Sequence, residues 1–247
     1  MRSRSLAPLV AAAVSLAAFG AAFAGGCGGS GDGGSAQHPT PRAGDASRQP
    51  SGIYTYATRG FEQLSAVFSS RHGYPRTSAV RVAANPCGFS ERWQPRPERW
   101  AEWRYCVRGD RWRVQTQLDY HEFFGQSVQQ RFACTGPFVP RPPTVTLGFT
   151  WTDRCRGAGS RVTVRYRAIR DQTLDVNGKP LRTVLVRARA SLKGRISGVN
   201  VIESWLSREN GLLVRRAVTS ATSIASPFGK LHDRERYALM IRSVEPR

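Results

Sequence analysis

The chain has 247 residues, of which 40% are hydrophobic and 22% are charged, and its formal net charge at pH 7 is +20. Nearly all of the positive charge is arginine, with 34 Arg against 3 Lys. Such a charge attracts anionic partners, but the sequence carries no signature of specific nucleic-acid binding. It also lacks a recognisable catalytic motif, so no enzyme activity, catalytic residue or cofactor is predicted.

The N-terminal segment predicts export. Arg2 and Arg4 precede an apolar run over residues 6–24, and small residues follow it, which is the order found in secretory signals. The sequence Ala24-Gly25-Gly26-Cys27 resembles a bacterial lipobox. This resemblance implies that residues 1–26 are removed and that Cys27 is acylated, tethering the protein to the extracytoplasmic face of the membrane.

Two other outcomes remain open for the same segment. Ala22-Phe23-Ala24 fits ordinary signal-peptide cleavage, which would release a secreted protein. The apolar run of 19 residues is also close to the roughly 20 residues that span a membrane, so an uncleaved anchor is the third possibility.

The number of cysteines favours lipidation. Five are present, and an odd cysteine in an exported protein needs an explanation; acylation of Cys27 leaves four. We expect Cys87, Cys106, Cys134 and Cys155 to form two disulfides. Three connectivities are possible; nearest-neighbour pairing closes loops of about 20 residues, each worth roughly 3 kcal/mol. The close cysteine spacing of zinc sites is absent, so no metal site is predicted.

Residues 27–51 form a predicted disordered tether rich in Gly, Ser and Pro, with no large apolar residue. Residues 52–247 are then expected to form one antiparallel β domain. Residues 60–69 fit either a short helix on the sheet or an irregular strand. The proline-rich run 136–143 cannot hold a central strand and marks a seam. Before that seam, strands are predicted near 53–56, 77–84, 88–94, 100–107, 111–122 and 127–134.

After the seam, period-2 alternation over 144–151 and 161–168 predicts strands with one buried face. Asn177-Gly178 and Asn210-Gly211 lie between apolar runs, and Asn-Gly suits a tight hairpin turn. Five or six consecutive antiparallel strands are therefore expected from residue 144 to the end. The predicted fold class is all-β: an antiparallel curved sheet forming a half-barrel or barrel, with a β-sandwich as the alternative.

Arginines fall on the solvent side of two predicted strands. If these strands pair, Arg161, Arg165, Arg167, Arg187 and Arg189 form a patch for anions such as lipid phosphates or acidic wall polymers. The alternative is that an exposed sheet face is simply polar and that arginine reflects the codon bias of a GC-rich genome.

Tryptophan and histidine invite further functional interpretations. Arg and Trp interleave over residues 92–113, which suits either a stacking platform for bases or sugars or, as we favour, tryptophans in the core with arginines outside. His121-Glu122 lacks the second histidine of a zincin motif, and His232-Asp233 lacks a nucleophile. Both pairs are predicted to be surface or structural residues.

Residues 203–215, ESWLSRENGLLVR, resemble a hairpin of lipoprotein carriers of the LolA type, in which a curved antiparallel sheet holds acyl chains. The segments around Cys87–Cys106 and Cys134–Cys155 resemble uncharacterised actinobacterial envelope lipoproteins. These resemblances imply a lipid-anchored, non-catalytic binding protein for an amphipathic or anionic envelope ligand, either lipid or wall polymer. A structural or protein-interaction module without a small ligand is the alternative, and a wall-glycan enzyme would need two carboxylates facing each other across a groove.

Overall fold

Alternation of inward and outward side chains extends over almost every segment of the computed structural model, which describes residues 49–65, 69–123, 126–226 and 229–247. The predicted signal peptide, Cys27 and the tether up to residue 48 lie outside the described residues. Within the described ranges there are strands and no helix, hence none that is long and apolar enough to cross a membrane. The strands are β1 (Gly52–Ser65), β2 (Ser69–Gly73), β3 (Thr77–Asn85), β4 (Gly88–Arg96), β5 (Arg99–Arg108), β6 (Arg111–Phe123), β7 (Gln126–Thr135), β8 (Val139–Pro140), β9 (Thr150–Gly157), β10 (Ser160–Val176), β11 (Lys179–Gly194), β12 (Ile196–Ser207), β13 (Leu213–Ser226) and β14 (Gly229–Ile241).

Twelve of these strands form a closed antiparallel β-barrel. The order around the barrel is β14-β13-β12-β11-β10-β9-β7-β6-β5-β4-β3-β1, and β1 pairs with β14 to close it. Strand β2 pairs with the second half of β1, and the two-residue β8 pairs with β6. The all-β prediction is confirmed. Of the predicted alternatives, which were a half-barrel, a barrel and a β-sandwich, the structure is the barrel.

The segment between β7 and β9 departs from the sequence prediction. The alternation over 144–151 does not make a strand, because β9 begins only at Thr150. Instead, the amides of Thr144 and Val145 both donate to the carbonyl of Arg141 at 2.9 Å, which turns the chain. Val145 is buried against the core whereas Leu147 is 51% exposed. Tertiary contact therefore overrides the local pattern here.

Elsewhere some local signals agree with the structure, whereas Asn210-Gly211 lies in a five-residue loop, 208–212, in which only Gly211 of the two has a positive φ, 81°. Asn177 and Gly178 have φ angles of 51° and 80°, as a type I′ turn requires, and they join β10 to β11. Strands β9 to β14 pair consecutively in antiparallel order, as expected for the C-terminal half. Residues 60–65 belong to β1 and residues 69–73 to β2, so the helical alternative for this segment is wrong where the chain is described.

Large side chains fill the barrel. Trp93 is fully buried, stacks on Tyr237 with ring centroids 4.2 Å apart, and donates from Nε1 to the Ser78 hydroxyl at 2.9 Å. Trp103, Trp112 and Trp151 pack against the same core. Within residues 92–113, the prediction of tryptophan in the core and arginine outside therefore holds for Trp93, Trp103 and Trp112. It is wrong for Arg99 and Trp100: Arg99 is buried inside the barrel, whereas Trp100 is only partly buried, stacks on Tyr120 and lies beneath the Arg92 guanidinium.

Two disulfides join strands that are close in sequence: Cys87–Cys106 and Cys134–Cys155. This is the nearest-neighbour connectivity. Cys134 and Cys155 lie directly opposite each other on β7 and β9, where only three residue pairs are in register. This bond therefore reinforces the shortest ladder in the barrel.

Candidate functional site

Arginines cover the outside of the barrel along three adjacent strands. Because β10 pairs with both β9 and β11, the outward positions of these strands form one continuous surface. We call this surface the outer arginine face. It comprises the exposed side chains of Arg154, Arg156, Arg161, Arg165, Arg167, Arg187, Arg189 and Lys193.

The strand register places like charges directly opposite each other. Arg165 faces Arg189, Arg167 faces Arg187, and Arg161 faces Lys193 across the β10–β11 ladder. Like charges in such positions repel each other. The sequence prediction that these arginines share one face if the strands pair is therefore met in the structure.

Few carboxylates offset this charge. The outward positions of β9, β10 and β11 over residues 150–167 and 187–193 contain no Asp or Glu. The neighbouring β12 supplies Glu203, which accepts from Arg187 Nη2 at 2.7 Å and from its Nε at 3.0 Å. A shallow groove of about 390 Å³ is bordered by Thr150 and Thr152. Four arginines of the outer arginine face line it: Arg165, Arg167, Arg187 and Arg189.

Inside the barrel, a cavity of about 100 Å³ remains between the packed side chains. Its walls are aromatic and aliphatic, and two stacked pairs supply most of the rings: Tyr105 with Trp112, and Trp151 with Tyr166. We call this space the interior cavity. At this volume it cannot enclose a lipid acyl chain.

Arg216 forms one polar wall of the interior cavity. Its Nη2 lies 2.8 Å from Glu91 Oε1, its Nε donates to the Ser204 hydroxyl at 3.5 Å, and its guanidinium lies over the Trp103 ring. Burial disfavours the charged form, but the adjacent Glu91 carboxylate keeps the pKa of Arg216 above its ordinary value. The side chains of this ion pair are both buried, with exposures of 7% for Arg216 and 4% for Glu91.

Asp153 forms the other polar wall and is only 2% exposed. Burial raises its pKa to about 6, although a hydrogen bond from the Tyr166 hydroxyl opposes that rise. Its carboxylate occupies the place where a side chain at residue 136 would begin: a Cβ built on Gly136 would lie 1.8 Å from Asp153 Oδ1. The glycine at 136 is therefore required for space.

Residues 136–149, which we call the proline strap, cover this end of the barrel. Val139 and Val145 are buried and line the interior cavity. Arg208 fixes the strap by donating from Nη1 to the carbonyls of Pro142 and Val145, both at 2.7 Å, and it pairs with Asp171 at 2.6 Å. The strap, which includes the predicted seam over residues 136–143, contributes Pro137, Val139, Pro140, Pro142 and Val145 to the lining of the cavity.

A second buried polar cluster lies where β1 meets β14. Glu62 and Glu235 are opposite each other in the ladder, and both are buried. Arg99 Nη2 lies 3.4 Å from Glu235, and His121 Nδ1 lies 2.9 Å from Glu62. Burial alone would raise the pKa of Glu62, but the hydrogen bond to His121 and the nearby cations bring it below its usual range.

Of the histidines in the two predicted pairs, only His121 belongs to this cluster. His121 packs inside against Glu62, and His232 Nδ1 lies 2.9 Å from the Ser223 hydroxyl on the outer surface. The carboxylates of Glu62 and Glu235 are neighbours in one ladder inside the barrel, where Glu235 contacts Arg99 and Glu62 contacts His121. They do not lie on opposite walls of a groove. Within the described ranges, no group of three or more His, Cys, Asp or Glu is arranged to hold a metal ion.

Sequence reasoning missed the polar groups inside the barrel. Glu91 lies between the inward Phe89 and Trp93, and Asp153 lies between Trp151 and Cys155. Each is a charged residue at a position where the period-2 pattern predicts an apolar, inward side chain. That mismatch could have indicated a buried charge.

No family model, curated protein or solved structure matches this chain.

Proposed function

We propose that this protein is an exported, lipid-anchored, non-catalytic binding protein that holds an anionic ligand of the cell envelope on its outer arginine face. Of the two ligand types that the sequence suggests, a wall polymer is favoured over a lipid held inside. The interior cavity of about 100 Å³ is too small for an acyl chain. An anionic polymer needs no hollow interior.

The observation that carries this proposal is the cross-strand pairing of Arg165 with Arg189 and of Arg167 with Arg187. Strand geometry spaces such positions by about 4.8 Å between strands and about 6.8 Å along them. Four guanidiniums within this area repel one another, and a multivalent anion that bridges them would relieve the repulsion. Arginine's planar fork binds phosphate and carboxylate oxygens in pairs.

Export and anchoring are part of the same proposal. The support comes from the signal-like N-terminus with Cys27 and from the two disulfides, which persist in oxidising compartments. Incorporation of tritiated palmitate in the native host, and its loss in Cys27→Ser, is the expected result. A labelled Cys27→Ser protein, or an unlabelled wild type, would overturn the anchor.

Ligand binding is tested with long-chain inorganic polyphosphate as the probe polymer. Replacing Arg165, Arg167, Arg187 and Arg189 with Gln should weaken binding at least about tenfold and make it less sensitive to salt. The matched control replaces four exposed arginines elsewhere, Arg59, Arg81, Arg234 and Arg236, with the same change in net charge. Equal losses in the two variants would mean that only overall charge matters and would refute a defined site.

Vesicles separate the lipid source from the polymer. Binding of the wild type to phosphatidylglycerol vesicles but not to polyphosphate would assign the face to a membrane surface instead.

The second candidate function is a structural or protein-interaction module without a small ligand. The dense aromatic packing around Trp93 favours it, because Trp93, Tyr74 and Tyr237 contact one another and fill the space between their strands. Unchanged weak binding of every probe, together with cross-linking to one envelope protein, would support this alternative.

A further inference from the structure

Four buried polar atoms of residues that line the interior cavity have no hydrogen-bond partner among the described residues: Glu91 Oε1, Arg113 Nε, Arg216 Nη1 and Asp153 Oδ1. Glu91 Oε1 is ion-paired with Arg216 Nη2, and the Arg113 guanidinium lies over the Phe138 ring. Arg216 Nη1 and Asp153 Oδ1 are the donor and the acceptor that remain. The residues themselves are 6% and 2% exposed, and both line the cavity. Leaving a buried donor or acceptor unsatisfied costs about 1–3 kcal/mol, so a molecule that supplies the missing partners is stabilised there.

The two atoms require complementary chemistry. Arg216 Nη1 is a donor and needs an acceptor, whereas Asp153 Oδ1 is an acceptor and needs a donor. Since Arg216 is already paired with Glu91 at 2.8 Å, a charged ligand would disturb a balanced pair. A neutral group that carries both a donor and an acceptor satisfies both atoms without adding charge.

The size of the cavity limits the group further. An apolar cavity of about 150 Å³ holds benzene, with its six carbon atoms, so about 100 Å³ corresponds by proportion to roughly four non-hydrogen atoms. The stacked rings of Trp151 and Tyr166 provide an apolar wall suited to a methyl group or a flat π-system.

We propose that the interior cavity binds a short amide group of acetamide size, with its carbonyl accepting from Arg216 Nη1 and its N–H donating to Asp153 Oδ1. An amide is a compact neutral group in which a donor and an acceptor are neighbours. Its methyl group lies against the aromatic wall.

The rim of the cavity allows the amide to be part of a larger molecule. Arg113 and Pro140 at the rim are half-buried and Pro137 is exposed, so the cavity reaches solvent beside the proline strap. The same chemistry therefore has two sources: a free small amide, or the N-acetyl group of an amino sugar whose ring stays outside. This site does not rest on the outer arginine face, and the two are tested by different variants.

The test uses the complete exported chain with its disulfides intact and observes the methyl signals of Val186, Ile202 and Leu206 by NMR. These three residues line the cavity. The probes are acetamide, N-acetylglucosamine and glucosamine at millimolar concentrations. Saturable shifts with acetamide alone assign a free amide, and shifts with N-acetylglucosamine but not glucosamine assign the glycan source; both support the site. The proposal would be overturned if no probe caused a shift, which would mean that the cavity holds water only. It would also be overturned if N-acetylglucosamine and glucosamine caused equal shifts.

Variants locate the binding. Ala188→Leu adds three carbon atoms into the cavity and should abolish the shifts, whereas Ser191→Leu on the exposed side of the same strand should leave them unchanged. Asp153→Asn keeps the shape but replaces the charged acceptor, and it should weaken binding by about tenfold or more, as expected for loss of a hydrogen bond to a charged group. Undiminished binding in Ala188→Leu would place the ligand elsewhere.

Discussion

Glu62 and Glu235 face each other across the β1–β14 ladder that closes the barrel, and both carboxylates are buried. Two carboxylates so placed would repel each other, but Arg99 lies close to both, and Arg96 and His121 contact Glu62. The ladder that closes the barrel therefore packs against cations supplied by β4, β5 and β6.

We expect removal of Arg99 to destabilise the protein strongly. Arg99→Met leaves the buried carboxylates without their shared cation, and breaking a buried ion pair costs about 3–5 kcal/mol. The control is Arg104→Met, because Arg104 pairs with Glu102 at a side-chain exposure of 44%; it should cost less than about 1 kcal/mol. Urea unfolding measures both, and similar losses would contradict a structural role for the Arg99 cluster.

Removal of the two disulfides should have unequal effects. They close loops of nearly equal length, with separations of 19 and 21 residues, so chain entropy alone predicts about 3 kcal/mol for each. However, the β7–β9 ladder has three residue pairs, whereas Cys87–Cys106 connects the extended β4–β5 ladder. We expect the Cys134→Ala/Cys155→Ala variant to lose more stability in urea and to exchange the β9 amides faster than Cys87→Ala/Cys106→Ala. Equal losses would show that the short ladder holds without the bond.

Asp233 should make stability depend on pH. Burial and the charges of Glu235 and Glu62 raise its pKa from 3.8 to about 7, against the opposing effect of Arg99. The folded state then binds a proton that the unfolded state has already released, so stability falls as pH rises from about 4 to about 7.

The corresponding variant mimics the protonated side chain. Asp233→Asn should stabilise the protein by at least about 1 kcal/mol at pH 8, with a gain that vanishes near pH 4. The exposed Asp110→Asn serves as the control and should show no such trend. Thermal unfolding between pH 4 and pH 8 measures the difference; a gain independent of pH would refute the assignment.

Gly136→Ala should displace Asp153. The new Cβ would lie 1.8 Å from Asp153 Oδ1 and 2.8 Å from its Cγ, and overpacking of this kind costs about 1–3 kcal/mol. Adding Asp153→Ala to this variant should recover part of the loss, since the two positions are coupled. Gly73→Ala, where nothing lies within 4 Å of the added Cβ, should be close to neutral. Strictly additive losses for residues 136 and 153 would contradict the contact.

Local sequence signals determined much of this structure. Period-2 alternation from Arg161 to Ala168 specified a strand with arginine on one side, and Asn177-Gly178 specified the turn that joins it to the next strand. Such signals are local because the backbone geometry of a strand or tight turn depends on adjacent residues. The shared arginine face follows from that pairing.

Only the tertiary structure decided how the ends meet and what the interior contains. The pairing of Glu62 with Glu235 joins positions 173 residues apart (235 − 62), and no local pattern encodes such a contact. The segment 144–149 alternates like a strand but turns: Val145 is buried, and its backbone carbonyl accepts a hydrogen bond from Arg208, which lies 63 residues away in the sequence. Charged residues at inward positions, such as Glu91 and Arg216, find their partners only when the sheet closes, because a buried charge is stable only beside the group that balances it.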